Sequence, residues 1–141
     1  MRLHHSSITR IPKTFILCHK GSNYNILQQL TFQGANVALI EPFPKRDESS
    51  YTNCAASEIC RKMNRDCVNV FQCDIHNSKH IKQVLTETKE TFGRLDGIVL
   101  YDEYKWDYSC LMYTYMNFVK KGQISIVDPE TNIIQNDESF R

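Results

Sequence analysis

The sequence predicts an α/β fold in which helices cover both faces of a five-stranded parallel sheet, giving three layers. Short apolar runs, typical of buried strands, alternate along the chain with longer stretches of helical periodicity. Glycines follow three predicted helices, at Gly34, Gly93 and Gly122, where a helix commonly ends. Strands that alternate with helices in this way form right-handed βαβ units and therefore a parallel sheet.

The first predicted βαβ unit covers residues 13–41. An apolar strand, Lys13–Cys18, leads into a small polar turn, and an amphipathic helix follows that stops at Gly34. The second strand, Asn36–Ile40, is almost entirely apolar, as expected of a parallel strand buried on both faces. The apolar residues of the helix are Ile26, Leu27, Leu30 and Phe32.

The rest of the chain continues the same alternation. A polar stretch at residues 45–50 leads into a second helix, and strands and helices then follow in turn up to residue 127. The second helix has its apolar face at Ala55, Ile59, Cys60 and Met63, and the later elements are strands at Cys67–Cys73, Leu95–Leu100 and Gln123–Val127 and helices at Ser78–Phe92 and Tyr108–Lys120.

The composition fits one globular domain and argues against several classes of partner. The 141 residues are 41% hydrophobic and carry a net charge of +1, so no strong field favours nucleic acid or an anionic membrane. No apolar run approaches the ~18 residues of a membrane span. We expect one domain at residues 13–127, between a basic flexible arm at 1–12 and a polar C-terminal tail at 128–141.

The N-terminal residues and the cysteines indicate the cellular compartment of the protein. Residues 1–13 are basic, rich in hydroxyl groups and free of acids, which fits either a disordered arm or an organelle transit peptide. The six cysteines form no C-x-x-C pair, and Cys18 and Cys73 end apolar strands, so we expect reduced thiols. These features predict the cytoplasm or an organelle matrix, and the basic N-terminus leaves mitochondria open.

Three stretches carry a family resemblance: Gln33–Ala38, Cys73–Ile75 and Thr91–Val99. Over residues 13–127 the chain resembles the N-terminal half of the short-chain dehydrogenase/reductase (SDR) family. The resemblance implies a Rossmann-like fold with strand order 3-2-1-4-5, and it directs attention to the turn after the first strand, where the family binds a dinucleotide.

The glycine-rich phosphate turn of the family falls on residues 18–25. His19, Asn23 and Asn25 stand at its glycine positions, and side chains at the last two would occupy the space of a pyrophosphate. The helix N-terminus and Lys20 could still attract an anion. A plain strand-to-helix turn is the alternative. The candidate cofactor ligands in this turn are Lys20, Gly21, Ser22, Asn23 and Asn25.

Three further candidate ligands survive from the family pattern. Glu41 matches the acid that holds an adenosine ribose and favours NAD over NADP, and Asp74 and Ile75 match the positions that flank adenine. Glu41 and Asp74 are alternatively strand-end acids near helix N-termini. We expect no bound cofactor, with NAD as the alternative.

The catalytic pattern of the family is missing. Its N-N-A-G motif falls on Leu100–Glu103, and Asp128 and Pro129 stand where the resemblance would place the catalytic serine. Tyr101 and Lys105 satisfy Y-x-x-x-K, but they follow the fourth strand instead of opening a later helix. Without a Ser, Tyr and Lys at the family's positions, no group can donate a proton beside a hydride. We therefore predict a truncated, non-catalytic chain.

The spacing of one cysteine and two histidines is compatible with a metal site. Cys73, His76 and His80 form C-x2-H-x3-H. The strand that holds Cys73 and the helix that holds His80 should separate these side chains. We interpret the histidines as solvated residues near a helix start and expect no metal site.

The aromatic residues predict a protein partner. Tyrosines and a tryptophan cluster in the region Tyr101–Phe118, with more apolar surface than so small a domain can cover. The fifth strand is expected to be an uncovered edge, which invites pairing. The chain is thus predicted to be a structural or interaction subunit of a larger assembly. A module that binds NAD or another adenine nucleotide is the alternative, and a gene fragment without selected function is a third.

Overall fold

The computed structural model describes residues 11–18, 24–41, 46–101, 107–127 and 134–136. Its six strands form one sheet in the order β3-β2-β1-β4-β5-β6. The strands are β1 (Thr14–Cys18), β2 (Asn36–Glu41), β3 (Val68–Gln72), β4 (Gly97–Tyr101), β5 (Gln123–Val127) and β6 (Ile134–Asn136), and the helices are α1 (Asn25–Phe32), α2 (Arg46–Met63), α3 (Ser78–Phe92) and α4 (Ser109–Phe118).

The predicted fold class is confirmed. The first five strands are parallel and follow the order 3-2-1-4-5. The bounds of α3 and β5 coincide with the predicted ones, and the other strands differ by one or two residues at their ends. Helix α2 begins at Arg46, so most of the stretch predicted to be a polar lead-in is helical.

Two apolar clusters, one on each face of the sheet, make the three layers. Alternate residues along a strand point to opposite faces. In β1, Ile16 therefore packs with α3 and α4, whereas Leu17 packs with α1 and α2. The same alternation separates Ala38 from Leu39 in β2. All four of these side chains are fully buried.

Local signals explain where the helices begin and end. The Asn77 side chain accepts the backbone N–H of His80 at 3.2 Å and so caps the N-terminus of α3. Gly93 ends α3 with φ 85°, a left-handed conformation that favours glycine. Of the four apolar residues of α1, Phe32 at its end is 57% exposed. Thr31 is buried instead, and its hydroxyl donates to the Leu27 carbonyl at 2.8 Å.

The sixth strand corrects two predictions. Ile134–Asn136 lies within the predicted polar tail, yet it pairs antiparallel with β5, from Ser125 opposite Asn136 to Val127 opposite Ile134. The predicted open edge of the fifth strand is therefore paired over these three residues. None of the helices in the described ranges is long and apolar enough to cross a membrane.

Candidate functional site

The turn after β1 can be located only in part. Lys20, Gly21, Ser22 and Asn23 lie outside the described residues. Asn25 is the first residue of α1, and its side chain is exposed. The candidate residues whose positions can be compared are therefore Asn25, Glu41, Asp74 and Ile75.

The sheet brings the ends of its first three strands together. Cys18 at the end of β1 is opposite Ile40 of β2, and Glu41 is opposite Gln72 of β3. The backbone N–H of Cys73 donates to the Glu41 carbonyl at 3.3 Å. The segment that carries Asp74 and Ile75 thus begins directly beside Glu41, at the carboxyl edge where parallel α/β sheets bind ligands.

Glu41 is a buried acid with one satisfied oxygen. Its side chain is 5% exposed, and Oε2 accepts the Thr52 hydroxyl of α2 at 2.8 Å. The Tyr24 hydroxyl, just before α1, lies 3.0 Å from the same Thr52 oxygen. Oε1 is buried without a hydrogen-bond partner among the described residues. A buried carboxylate oxygen is costly when unpaired, so a hydrogen-bond donor that reached this atom would stabilise it.

Asp74 and Ile75 face opposite ways. Asp74 is exposed, and its Oδ1 accepts the backbone N–H of His76 at 2.9 Å, which closes a tight turn before α3. Its own backbone N–H donates to His80 Nδ1 at 3.2 Å. Ile75 is fully buried in the cluster that includes Cys18. These contacts indicate that Asp74 stabilises the turn before α3 and that Ile75 packs in the core. Neither contact requires a ligand.

His80 and Cys73, two residues of the C-x2-H-x3-H spacing, make contacts that do not involve a metal. His80 Nδ1 accepts a backbone hydrogen bond, and Cys73 is buried in the core. The described residues contain no cluster of three His, Cys, Asp or Glu side chains that could hold a metal ion.

Two cysteines at this edge are held in their protonated form. Burial, with a smaller effect from Cys73, raises the pKa of Cys18 to about 12. Burial also raises the pKa of Cys73 to about 11, with contributions from Asp74 and Cys110. Since the thiolate is the reactive species, neither group is a nucleophile at neutral pH. All six cysteines are free thiols.

Sequence reasoning missed Thr52 and Tyr24 as partners of Glu41. A signal for Thr52 was present, because it lies four residues before Ala56 and seven before Ile59, on the face of α2 that packs on the sheet. No such signal exists for Tyr24, which stands in a turn of polar residues. Its approach to α2 depends on how α1 and α2 pack side by side.

Comparisons with known proteins agree with this geometry at the level of fold. A short-chain dehydrogenase/reductase from Serratia marcescens BCRC 10948 has a TM-score of 0.52 and 20% identity, covering 63% of this chain and 34% of that one. A dehydrogenase/reductase from Sinorhizobium meliloti 1021 has a TM-score of 0.52 and 26% identity, covering 63% and 33%. A putative dehydrogenase from Burkholderia cenocepacia, solved with bound NADP, has a TM-score of 0.51 and 17% identity, covering 72% and 39%.

The fold and the acidic strand end define a Rossmann-type α/β domain. Its particular arrangement is that of the N-terminal half of SDR structures, so the resemblance found in the sequence is confirmed as an SDR-like Rossmann half. The chain spans only 33–39% of the length of these solved structures. No protein-family model and no curated protein sequence matches the chain.

Proposed function

We propose that this SDR-like Rossmann chain is non-catalytic and acts as a contact-forming subunit of a larger assembly. The observation that carries the proposal is the outer face of α4, formed by Tyr113 and Met116. Tyr113 is 73% exposed and Met116 is 44% exposed. Because they are three residues apart on one helix, the two large side chains form a continuous apolar surface.

The charges around this outer face suggest the chemistry of the partner. Lys120 and Lys121 lie just beyond the C-terminal end of α4, and both are exposed. On α3, Lys89 Nζ lies 6.0 Å from the ring centroid of Phe118. A protein segment with an apolar anchor and acidic flanking residues would complement this surface.

The environment of Tyr101 supports the non-catalytic part of the proposal. Tyr101 is 5% exposed at the end of β4 and packs in the cluster beneath α1 and α2. Burial, with a smaller effect from Cys18, raises its pKa. A catalytic tyrosine needs the opposite environment, since it must reach a substrate and exchange a proton near neutral pH. The Y-x-x-x-K pattern that begins at Tyr101 is therefore better explained by packing.

Photo-crosslinking from the outer face of α4 tests the proposal. With benzoylphenylalanine at position 113 in cells that produce the full chain, we expect one discrete crosslinked protein product. The same group at position 32 is the matched control, because Phe32 is also exposed but lies on α1. Substituting Met116→Ser should reduce the product. Equal crosslinking from both positions, or a lone monomer by light scattering of the native material, would refute the proposed interaction.

A second candidate function is favoured by one atom, the unpartnered Glu41 Oε1. This oxygen could accept a ribose hydroxyl, whereas the carboxylate would repel the 2′-phosphate of NADP. The described residues therefore fit NAD better than NADP, although the Burkholderia cenocepacia structure holds NADP. Bound NAD would supply hydride transfer chemistry. The part assigned to this chain is to hold the adenosine ribose at Glu41.

Melting experiments with NAD, NADH, AMP and NADP test this candidate. A nucleotide present at about 100 times its Kd should add about 2.7 kcal/mol to the free energy of unfolding. We expect Glu41→Ala to remove the shift in melting temperature, and Glu90→Ala, an exposed acid on α3, to retain it. Failure of all four nucleotides to raise the melting temperature would rule out this function while leaving the proposed protein contact intact.

A further inference from the structure

A groove of about 610 Å³ lies at the amino-terminal edge of the sheet, opposite the edge that holds Glu41. Strand β4 lies between β1 and β5 and is parallel to both, so their starting residues are neighbours. The residues just before these strands line the groove. They are Lys13 before β1, Arg94 and Asp96 before β4, and Lys120 and Lys121 before β5.

The single acid of this groove is already neutralised. Asp96 Oδ2 accepts from Arg94 Nε at 2.7 Å and from the Thr14 backbone N–H at 2.8 Å, while Oδ1 accepts from Arg94 Nη2. Partial burial would by itself raise the pKa of Asp96, but the hydrogen bonds from Arg94 and Thr14 and the charges of Arg94 and Lys13 together lower it. The carboxylate therefore stays ionised and paired with Arg94.

Three ammonium groups remain in excess. Lys13, Lys120 and Lys121 are exposed, and none forms a close ion pair with a carboxylate among the described residues. Like charges converging on a concave surface focus the positive potential into it. The whole chain has a net charge of only +1, so this concentration of charge is local to the groove.

The walls of the groove combine polar and apolar surface. Met116, Val119 and Ile124 contribute side chains, and Gly122 leaves part of the wall as bare backbone. Such a lining suits a ligand with a charged head and a less polar body. Lysine ammonium groups bind phosphate oxygens as mobile point charges and need no fixed bidentate geometry.

We propose that this lysine groove, formed by Lys13, Lys120 and Lys121 with the Arg94–Asp96 pair, binds a small phosphorylated molecule that carries at least two negative charges. The groove shares Met116, Lys120 and Lys121 with the surface proposed above for a protein partner, but binding of a small phosphorylated molecule does not rest on that function. The groove lies at the other end of the strands from Glu41, and it does not require the exposed ring of Tyr113.

Isothermal titration of the full chain with inorganic pyrophosphate tests the groove. We expect saturable binding with one site per chain that weakens as salt is added. The double variant Lys120→Gln/Lys121→Gln should weaken binding by about tenfold. The matched control is Lys79→Gln/Lys82→Gln, which removes the same charge from exposed positions on α3 and should bind as the unmodified chain does.

Further arms of the experiment separate phosphate binding from general attraction of anions. Asp96→Asn removes the acid and frees Arg94, so it should tighten pyrophosphate binding, with melting curves to check that the variant is folded. An equal loss in the control variant, no saturation, citrate binding as tight as pyrophosphate, or binding to anionic lipid vesicles or oligonucleotides alone would each overturn the proposal.

Discussion

Replacing Leu39 by alanine should lower the free energy of unfolding by about 2–5 kcal/mol, the usual cost of deleting a buried leucine side chain. Leu39 is fully buried in the middle of β2, opposite Leu17 of β1 and Val70 of β3. It packs on the face covered by α1 and α2. Strands β1 and β3 flank Leu39 on both sides, so the surrounding residues cannot easily move to fill the cavity that the substitution leaves. Domains of this size are typically stable by only about 5–15 kcal/mol.

Urea denaturation measures this effect, and Phe32→Ala is its control. Phenylalanine loses more atoms than leucine on truncation, but Phe32 is 57% exposed at the end of α1. We expect a change of about 0.5 kcal/mol or less for this variant, as for most surface substitutions. The two variants should differ in the urea concentration at the midpoint of unfolding, while the dependence of the unfolding free energy on urea concentration stays similar. If Phe32→Ala destabilised the chain as much as Leu39→Ala, the assignment of the core would be wrong.

Gly122→Ala should be the second strongly destabilising substitution, by about 1–3 kcal/mol, through overpacking. A Cβ at position 122 would meet the hydroxyl of Tyr115 and come within 2.6 Å of its Cζ and of Val119 Cγ2. Tyr115 is only 1% exposed, in the cluster beneath α3 and α4, so its ring has little room to move. The reason for glycine at this position is therefore the close approach of the Tyr115 ring.

A double-mutant cycle with Tyr115→Phe tests that reason. Phenylalanine removes the oxygen that the new methyl group would meet first, so the double variant should be less destabilised than the sum of the single variants. Thermal or urea unfolding of the unmodified chain, the two single variants and the double variant gives the coupling free energy between positions 115 and 122. Strict additivity would mean that the cost of Gly122→Ala does not come from contact with this hydroxyl.

The order of the elements could be predicted because each depends on a local pattern. The apolar run of β2 and the helical spacing of α3 are visible in the sequence, and both elements were predicted almost to the residue. The exposure of Phe32 could not be predicted, because a large apolar residue at the end of a helix need not be buried. Thr31 takes the buried position instead by donating to the carbonyl of Leu27.

Strand β6 could not be predicted for a different reason. Its three residues form a strand only through pairing with β5, which depends on the path of the chain and not on local propensity. The lysine groove was missed in the same way. Lys13 and Lys120 are far apart in the sequence, and only the adjacency of β1, β4 and β5 brings the residues before these strands together.

For the site, the sequence by itself determined that an acid ends the second strand of a Rossmann-like unit. Alternation of apolar and polar runs is a one-dimensional signal, so it fixes Glu41 at the carboxyl edge of the sheet. Only the tertiary structure decided that Thr52 from α2, with Tyr24 beside it, satisfies one oxygen of Glu41 and that the other oxygen stays unpaired among the described residues. The physical reason is that hydrogen bonds between side chains depend on how helices pack against strands, and distance along the chain does not encode that packing.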